Sequence, residues 1–401
     1  MTTAPGAAVG LTAHTVPLDP RGVDLLSFAG DDGVVFELEG RGLAGRGEAL
    51  RVDAASAAAA LAAIETLDEV GRPGCGPVAM GSLPFATAAT GTLVVPRTVL
   101  GRDADGTTWM TTVGDGAPPR PATPRPRPPD RFTLTATRPH EDWCATVDAA
   151  VGQIRRGRLH KVVLARDVVV EANRPILPLD VLRRLRALYP ACMLFSADGF
   201  VGASPELLVS RLGREVRSHP LAGTIPRSGE PAVDQRLAAG LLASDKDRSE
   251  HRLVVDAVAA ALRPHCQALT VPDSPSIVPL RNVSHLGTVI SGRLCDGRAS
   301  ALDLALLLHP TPAVAGTPEA EALAYIAEVE GMDRGRYAGP VGWMDASGDG
   351  EWAVGIRSAQ LSDSSARLFA GVGVVADSSS EAELAETQLK LQALLAAVVR
   401  P

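Results

Sequence analysis

From Phe132 onwards the pattern of apolar and polar positions becomes dense and predicts strands near 160–170, 192–197, 199–203, 206–211, 338–344, 351–361 and 366–375. Between them, apolar residues recur at helical spacing near 141–156, 178–188, 233–243, 246–262, 301–308, 317–328 and 380–399. Strands separated by short turns, as in GWMDASGDGEWAV, argue for antiparallel hairpins. Before residue 115 the pattern is thinner: strand-like VVFELEG and TLVVPRTVL, and one Ala-rich helix near 54–69. Seven prolines between Pro118 and Pro129 mark 117–130 as an extended loop. No internal repeat is present. The fold class is α+β, antiparallel sheets covered by helices.

One strand carries a residue out of place. In LHKVVLAR (159–166), alternation puts Lys161 on the same face as Val163 and Ala165, in a stretch that reads as buried. An edge-strand lysine that blocks aggregation would explain it. Yet of 39 basic residues only Lys161, Lys246 and Lys390 are lysine. A chain that uses arginine wherever a fixed positive charge suffices keeps lysine where a proton must be lost.

Composition narrows the setting. With 401 residues, 46% of them hydrophobic and 21% charged, the chain has ordinary globular content. A formal charge of −7 and no Lys/Arg-rich tract give no reason to expect nucleic acid. Cys75, Cys144, Cys192, Cys266 and Cys295 are odd in number and widely spaced, which suits thiols in a reducing compartment. No secretion signal is visible, and the Ala-rich run 54–64 is too short to span a bilayer. A cytoplasmic protein, not engaged with membrane, is expected.

Several segments carry candidate chemistry. In SDKDRSEHRLVVDAVAAAL (244–262) the apolar stripe Leu253, Val254, Ala257, Val258, Ala261 puts Glu250 on the buried face, leaving His251 and Arg252 to point elsewhere. A carboxylate aimed inward needs a cation, a donor or a proton, and an internal salt bridge with arginine would serve. In SSSEAELAETQLKLQALLAAVV (378–399), Ser380 and Glu383 match a capping box, and Glu386 and Lys390 form an i,i+4 pair. Glu383, Glu386 and Lys390 also share a face. If it meets the Glu250 helix, carboxylates converge as oxygen ligands of the kind Mg²⁺ takes. Glu206 in GFVGASPELLVSR starts an apolar strand and is a candidate acid, unless it is a solvated strand end. HPLAGTIPR (219–227) reads as a turn-rich loop presenting Gly223 and Thr224. Gly371 and Gly373 sit inside the strand FAGVGVV, through close ligand approach or a bulge. Arg357 interrupts EWAVGIRSAQL on the face of Ala353, Gly355 and Ala359, able to grip a carboxylate.

From about residue 138 to 397, these motifs, with SHLGTVISGRL, LLHPTPAVAG and YAGPVGWMD, resemble the chorismate-utilising enzymes related to anthranilate synthase component I, most closely the isochorismate synthases. The resemblance implies two packed antiparallel sheets flanked by helices in one large domain, so that 1–130 supplies sheet framework and 131–401 the catalytic region. Removing 1–116 is then expected to destroy folding. It implies Lys161 as general base toward water and Glu206 as general acid. It implies Mg²⁺ on Glu250 and Glu386 with Asp247 and Glu383 nearby. It places Gly223, Thr224, His285, Ala313, Tyr337, Arg357, Gly371 and Lys390 around chorismate. Lysine's ordinary pKa of about 10.4 must fall by roughly three units for such work near neutrality. The implied reaction is isomerisation of chorismate, with water added at C2 and the C4 hydroxyl lost. A salicylate synthase, which goes on to eliminate pyruvate, is the alternative. Ammonia-using relatives usually lack the strand lysine, so no glutamine amidotransferase subunit is expected, and a monomer is the default. A catalytically inactive scaffold would have lost Lys161, Glu206, Glu250 or Glu386, and a two-carboxylate glycosidase explains neither the lysines nor the helix-borne acids.

Overall fold

The computed structural model describes residues 10–115 and 125–399. Two large, almost wholly antiparallel sheets of 13 and nine strands pack face to face, and a third sheet of three strands lies beside them. The 13-stranded sheet holds Lys161–Ala172, Ser365–Val374, Ser358–Ser362, Phe200–Ser204 and Met193–Ala197 as successive neighbours. The nine-stranded sheet holds Glu215–His219, Leu207–Leu212, Gly350–Val354 and Pro340–Asp345 in that order. Strands from before residue 115 sit in both: Val34–Leu38 pairs with Met193–Ala197, and Val78–Ser82 with Pro340–Asp345. Hence the two-domain hint of the Pro-rich stretch has no counterpart in the sheets. Residues 117–124 of that stretch lie outside the described residues; 125–130 run without regular structure.

Inward faces of the two large sheets meet through Phe36, Leu43, Met80, Trp109, Phe195, Phe200 and Trp343, all buried. Each fully buried side chain of this kind contributes roughly 1.5–3 kcal/mol. The helices Pro178–Leu188 and Ser380–Val399 cover the outer face of the 13-stranded sheet, and Ala301–Leu308 covers that of the nine-stranded one.

Several elements differ from those the sequence pattern predicts. The Ala-rich helix ends early, as a single turn at Ala54–Ser56 and a helix over Ala57–Ala62. Glu65–Asp68 then forms an edge strand, parallel to Thr12–Leu18. The helix buries Ala57, Ala60 and Leu61, but beyond residue 64 the backbone is taken up by pairing with Thr12–Thr15, which overrides the helix propensity of alanine. HPLAGTIPR is not a loop: Leu221–Pro226 pairs with Val283–Gly287, with a register shift at Gly223, whose φ of 72° fits glycine. EWAVGIRSAQL is two strands, Gly350–Val354 and Ser358–Ser362, in different sheets. The helix Asp245–Leu262 buries His251, Val254, Val255, Val258, Ala259 and Leu262, so the stripe lies about one position round from the expected one and Leu253 faces water.

Candidate active site

Two chain crossings between the large sheets position the first pair of side chains. Pro205 and Glu206 connect Phe200–Ser204 of one sheet to Leu207–Leu212 of the other. Gly355, Ile356 and Arg357 connect Gly350–Val354 back to Ser358–Ser362. The crossings run side by side, because Gly202 is paired with Ser358 and Leu207 with Ala353. Glu206 thus sits in a sheet-to-sheet corner, not at a solvated strand end, and is 3% exposed. Arg357 does not share a strand face with Ala353 and Ala359. It occupies the corner itself, at φ 52°, a left-handed conformation that costs a non-glycine residue about 1–2 kcal/mol.

Both corners open on a cavity of about 240 Å³. It is lined by Lys161, Glu206, Gly223, Thr224, Asp247, Glu250, His285, Ala313, Tyr337, Arg357, Gly371, Glu383, Glu386 and Lys390, so every candidate named from the sequence is gathered there. Lys161 is not at a sheet edge. Its strand pairs with Ser365–Val374 on one side, and Lys161 itself is opposite Thr317. The residue is 1% exposed, and its Nζ lies 2.8 Å from Glu250 Oε1. Gly373 makes that contact possible: a Cβ there would stand 2.6 Å from Glu250 Oε1 and 2.8 Å from Lys161 Cε. A second pair crosses the cavity wall, where Lys390 Nζ reaches Glu386 Oε1 at 2.7 Å and the Gly371 carbonyl at 2.8 Å.

Burial tunes the titratable groups. It pushes the Glu206 carboxyl up to about 7, against the opposing pull of a backbone hydrogen bond from Leu221 and the charges of Lys161 and Lys390. His285 is driven down to about 3 by burial and by Arg357 and Lys390, so its ring is neutral. Tyr337, stacked on Phe369 at 5.1 Å between ring centroids, is raised to about 12 by burial and keeps its proton. Arg357 Nη2 donates to His285 Nε2 at 3.2 Å, while its Nη1 is buried without a hydrogen-bond partner.

The carboxylates form one wall. Glu250 comes from Asp245–Leu262, and Glu383 and Glu386 from Ser380–Val399. Burial raises the Glu383 carboxyl, and the negative charges of Glu386 and Glu250 add to the rise. Against burial, Lys390, Arg357 and a hydrogen bond from Thr224 hold Glu386 below the usual range. The capping box expected from Ser380 and Glu383 does not form. Ser379 Oγ accepts from Ala382 N instead, and the Glu383 carboxyl is turned toward Ser378 and the cavity. Among the described residues no three His, Cys, Asp or Glu side chains are spaced to enclose a metal by themselves. An oxygen-only wall whose members repel one another fits a hard cation such as Mg²⁺, which keeps waters and shares its coordination with a substrate.

Among the other lining residues, which the sequence does not mark as site residues, Gly373, Lys246 and Arg334 bear on the charges of the cavity. Gly373 was seen only as a glycine within a strand. Lys246 was visible through the scarcity of lysine, and all three lysines line this one cavity. Arg334 carried no signal beyond an i,i+4 spacing to Glu330 that normally means a surface pair. Both are buried, with Arg334 Nη2 at 2.6 Å from Glu330 Oε1.

Comparison with known proteins agrees with this geometry. A family profile described as chorismate binding enzyme matches residues 116–399. Isochorismate synthase DhbC of Bacillus subtilis is 47% identical over 269 residues, 64% of this chain and 68% of that protein. The crystal structure of DhbC from Bacillus anthracis superposes with a TM-score of 0.80 at 36% identity, over 93% of this chain and 98% of that one. MenF, the menaquinone-specific isochorismate synthase of Escherichia coli, shares the fold, with a TM-score of 0.81 at 24% identity over 98% of this chain and 95% of that one. The matched region contains every residue that lines the cavity, and the protein belongs to the chorismate-binding enzyme family.

Proposed function

We propose that this protein is an isochorismate synthase that isomerises chorismate to isochorismate. One observation carries the reading: a buried lysine and a buried carboxyl pushed up to about 7 line the same cavity as an arginine with an unpartnered nitrogen. Lys161 takes a proton from water as its oxygen adds at C2. Glu206, about half in its acid form at pH 7 and more so below it, gives its proton to the C4 hydroxyl as that group leaves, and the ring double bond shifts between them. One water enters and one leaves, so substrate and product are isomers. Arg357, Lys390 and the Gly371 segment bind the enolpyruvyl carboxylate, and Tyr337 closes that end of the cavity. Glu250 and Glu386, with Asp247 and Glu383 beside them, are the residues that would hold Mg²⁺. The cation, when bound, neutralises the ring carboxylate.

The test is incubation of the full chain with chorismate and Mg²⁺ in H₂¹⁸O, followed by separation of products and mass spectrometry. Isochorismate bearing one ¹⁸O at C2 is expected, with activity lost on chelation and restored by Mg²⁺. Release of pyruvate by the purified protein, read with lactate dehydrogenase, identifies a salicylate synthase instead. Absence of any chorismate consumption overturns the reading.

A further inference from the structure

We propose that His285 is a positioning residue, an uncharged acceptor that aims the Arg357 guanidinium at a substrate carboxylate without cancelling its charge. A guanidinium only donates hydrogen bonds, so the His285 Nε2 that meets Arg357 Nη2 at 3.2 Å must present its lone pair. The ring proton therefore sits on Nδ1, which faces the Gly223 carbonyl at 3.2 Å and Thr224 Oγ1 at 3.1 Å. Both partners come from the strand Leu221–Pro226, where the glycine at φ 72° turns its carbonyl toward the ring. The imidazole is thus held at both ends and leaves Arg357 one orientation.

What makes the acceptor's charge matter is the rest of Arg357. Among the described residues it forms no ion pair, and its Nη1 remains buried and unpartnered beside the cavity. Arg334, on the same cavity wall, shows the other outcome: Glu330 holds that guanidinium in place and neutralises it. An Asp or Glu in place of His285 would orient Arg357 equally well but occupy the charge that a carboxylate ligand needs. Glu386, whose charge reaches Arg357, is itself engaged by Lys390 at 2.7 Å. The neutral imidazole leaves a full positive charge for the ligand.

This inference rests on the proposed turnover of a dicarboxylate, and the experiment separates the two. Wild-type full-length protein is assayed with chorismate and Mg²⁺ first; no turnover defeats the functional reading, not the role of His285. With turnover established, His285→Leu, His285→Gln and His285→Glu are compared, with thermal melts confirming that each is folded. His285→Leu is expected to raise KM for chorismate by about 30-fold while kcat falls much less. His285→Gln, whose amide oxygen can accept from the guanidinium, recovers most of that KM. His285→Glu, which also accepts but carries charge, raises KM at least as far as His285→Leu. A wild-type KM in His285→Leu, a glutamate variant matching the glutamine one, or loss of kcat in His285→Gln as complete as in His285→Leu overturns the proposal. The last result points to proton transfer by the ring. If His285→Leu does not fold, the Gln and Glu variants decide between the outcomes.

Discussion

Two buried ion pairs hang on one strand, Lys161–Ala172, and they differ in how completely they are satisfied. Arg334 donates from Nε and Nη2 to both oxygens of Glu330, from Nη1 to the Val314 carbonyl at 2.8 Å and from Nη2 to the Val163 carbonyl at 2.9 Å. Glu330 Oε1 also accepts from the Ala165 amide at 2.7 Å. Every polar group is matched, and the guanidinium further lies over the Phe85 ring at 4.4 Å. Lys161, four residues before Ala165, has one contact at 2.8 Å for an ammonium with three donors. Its partner Glu250 lines an open cavity. The first pair closes the wall; the second leaves capacity for something else. Burial is common to both pairs, and what separates them is how much hydrogen-bonding capacity is left unmet, which marks Lys161 rather than Arg334 as the candidate for chemistry.

The largest effect that tests this contrast is on turnover. Lys161→Ala is expected to lower kcat by about 10³–10⁴-fold while chorismate binding, followed by calorimetry in Mg²⁺, stays measurable. A variant that isomerises chorismate normally removes the assigned base. Arg334→Leu acts on stability instead. It leaves the Glu330 carboxylate buried without its partner, and denaturant melts should show a loss of about 3–5 kcal/mol. Equal destabilisation by Lys161→Ala would erase the distinction between the pairs.

Glu206 sharpens the comparison through pH. Its folded pKa lies above the ordinary carboxyl value, so the acid form is depleted as pH rises through about 7. The kcat/KM of the free enzyme should therefore fall on the alkaline side of about 7, a limb that Glu206→Gln removes along with about 10²–10³-fold of rate. The same shift has a stability sign. The contribution of the protonated group is complete below about 4.5 and is lost as pH rises through about 7. Glu206→Gln should gain stability relative to wild type between those limits, by about 3 kcal/mol at most. A variant profile parallel to wild type would show that another group titrates. The smallest effect is expected from Gly373→Ala. A methyl 2.6 Å from Glu250 Oε1 must push the Lys161–Glu250 contact apart, lowering kcat by about tenfold with a melting shift of a few degrees. Unaltered kinetics would mean that the contact is not part of the working site.

Part of this site is legible because the chain is sparing with one residue type, whereas Asp247, His285, Ala313 and Tyr337 enter only through the resemblance to the chorismate-utilising enzymes. Lysine at 161, 246 and 390 stood out against a background of arginine, and all three prove to share a cavity. Helical spacing likewise put Glu383, Glu386 and Lys390 on one face. What stayed hidden depends on contacts between distant segments. No local pattern shows that Gly373 yields its side-chain space to Lys161 and Glu250, or that Arg334 and Glu330 are enclosed instead of exposed. The sequence places Arg357 within one strand because the apolar run Trp352–Ile356 continues toward it without a cluster of turn residues, while the chain there leaves one sheet for another. Leu221–Pro226 was misread because glycine and proline signal turns even where a partner strand at Val283–Gly287 supplies the hydrogen bonds. The short strands before residue 115 are weak in periodicity, and their partners lie far along the chain.

The two adjacent crossings at Pro205–Glu206 and Gly355–Arg357 have a consequence for how such a molecule can diverge. Strand side chains alternate with a period of two, so one residue added or lost in either crossing would turn the following strand inside out against its sheet. Helices and outer loops are free to lengthen, but these two short spans are fixed in length by the sheets on either side. At Glu206 and Arg357, a change of specificity therefore falls to exchange of the side chain, not to insertion or deletion in the crossing.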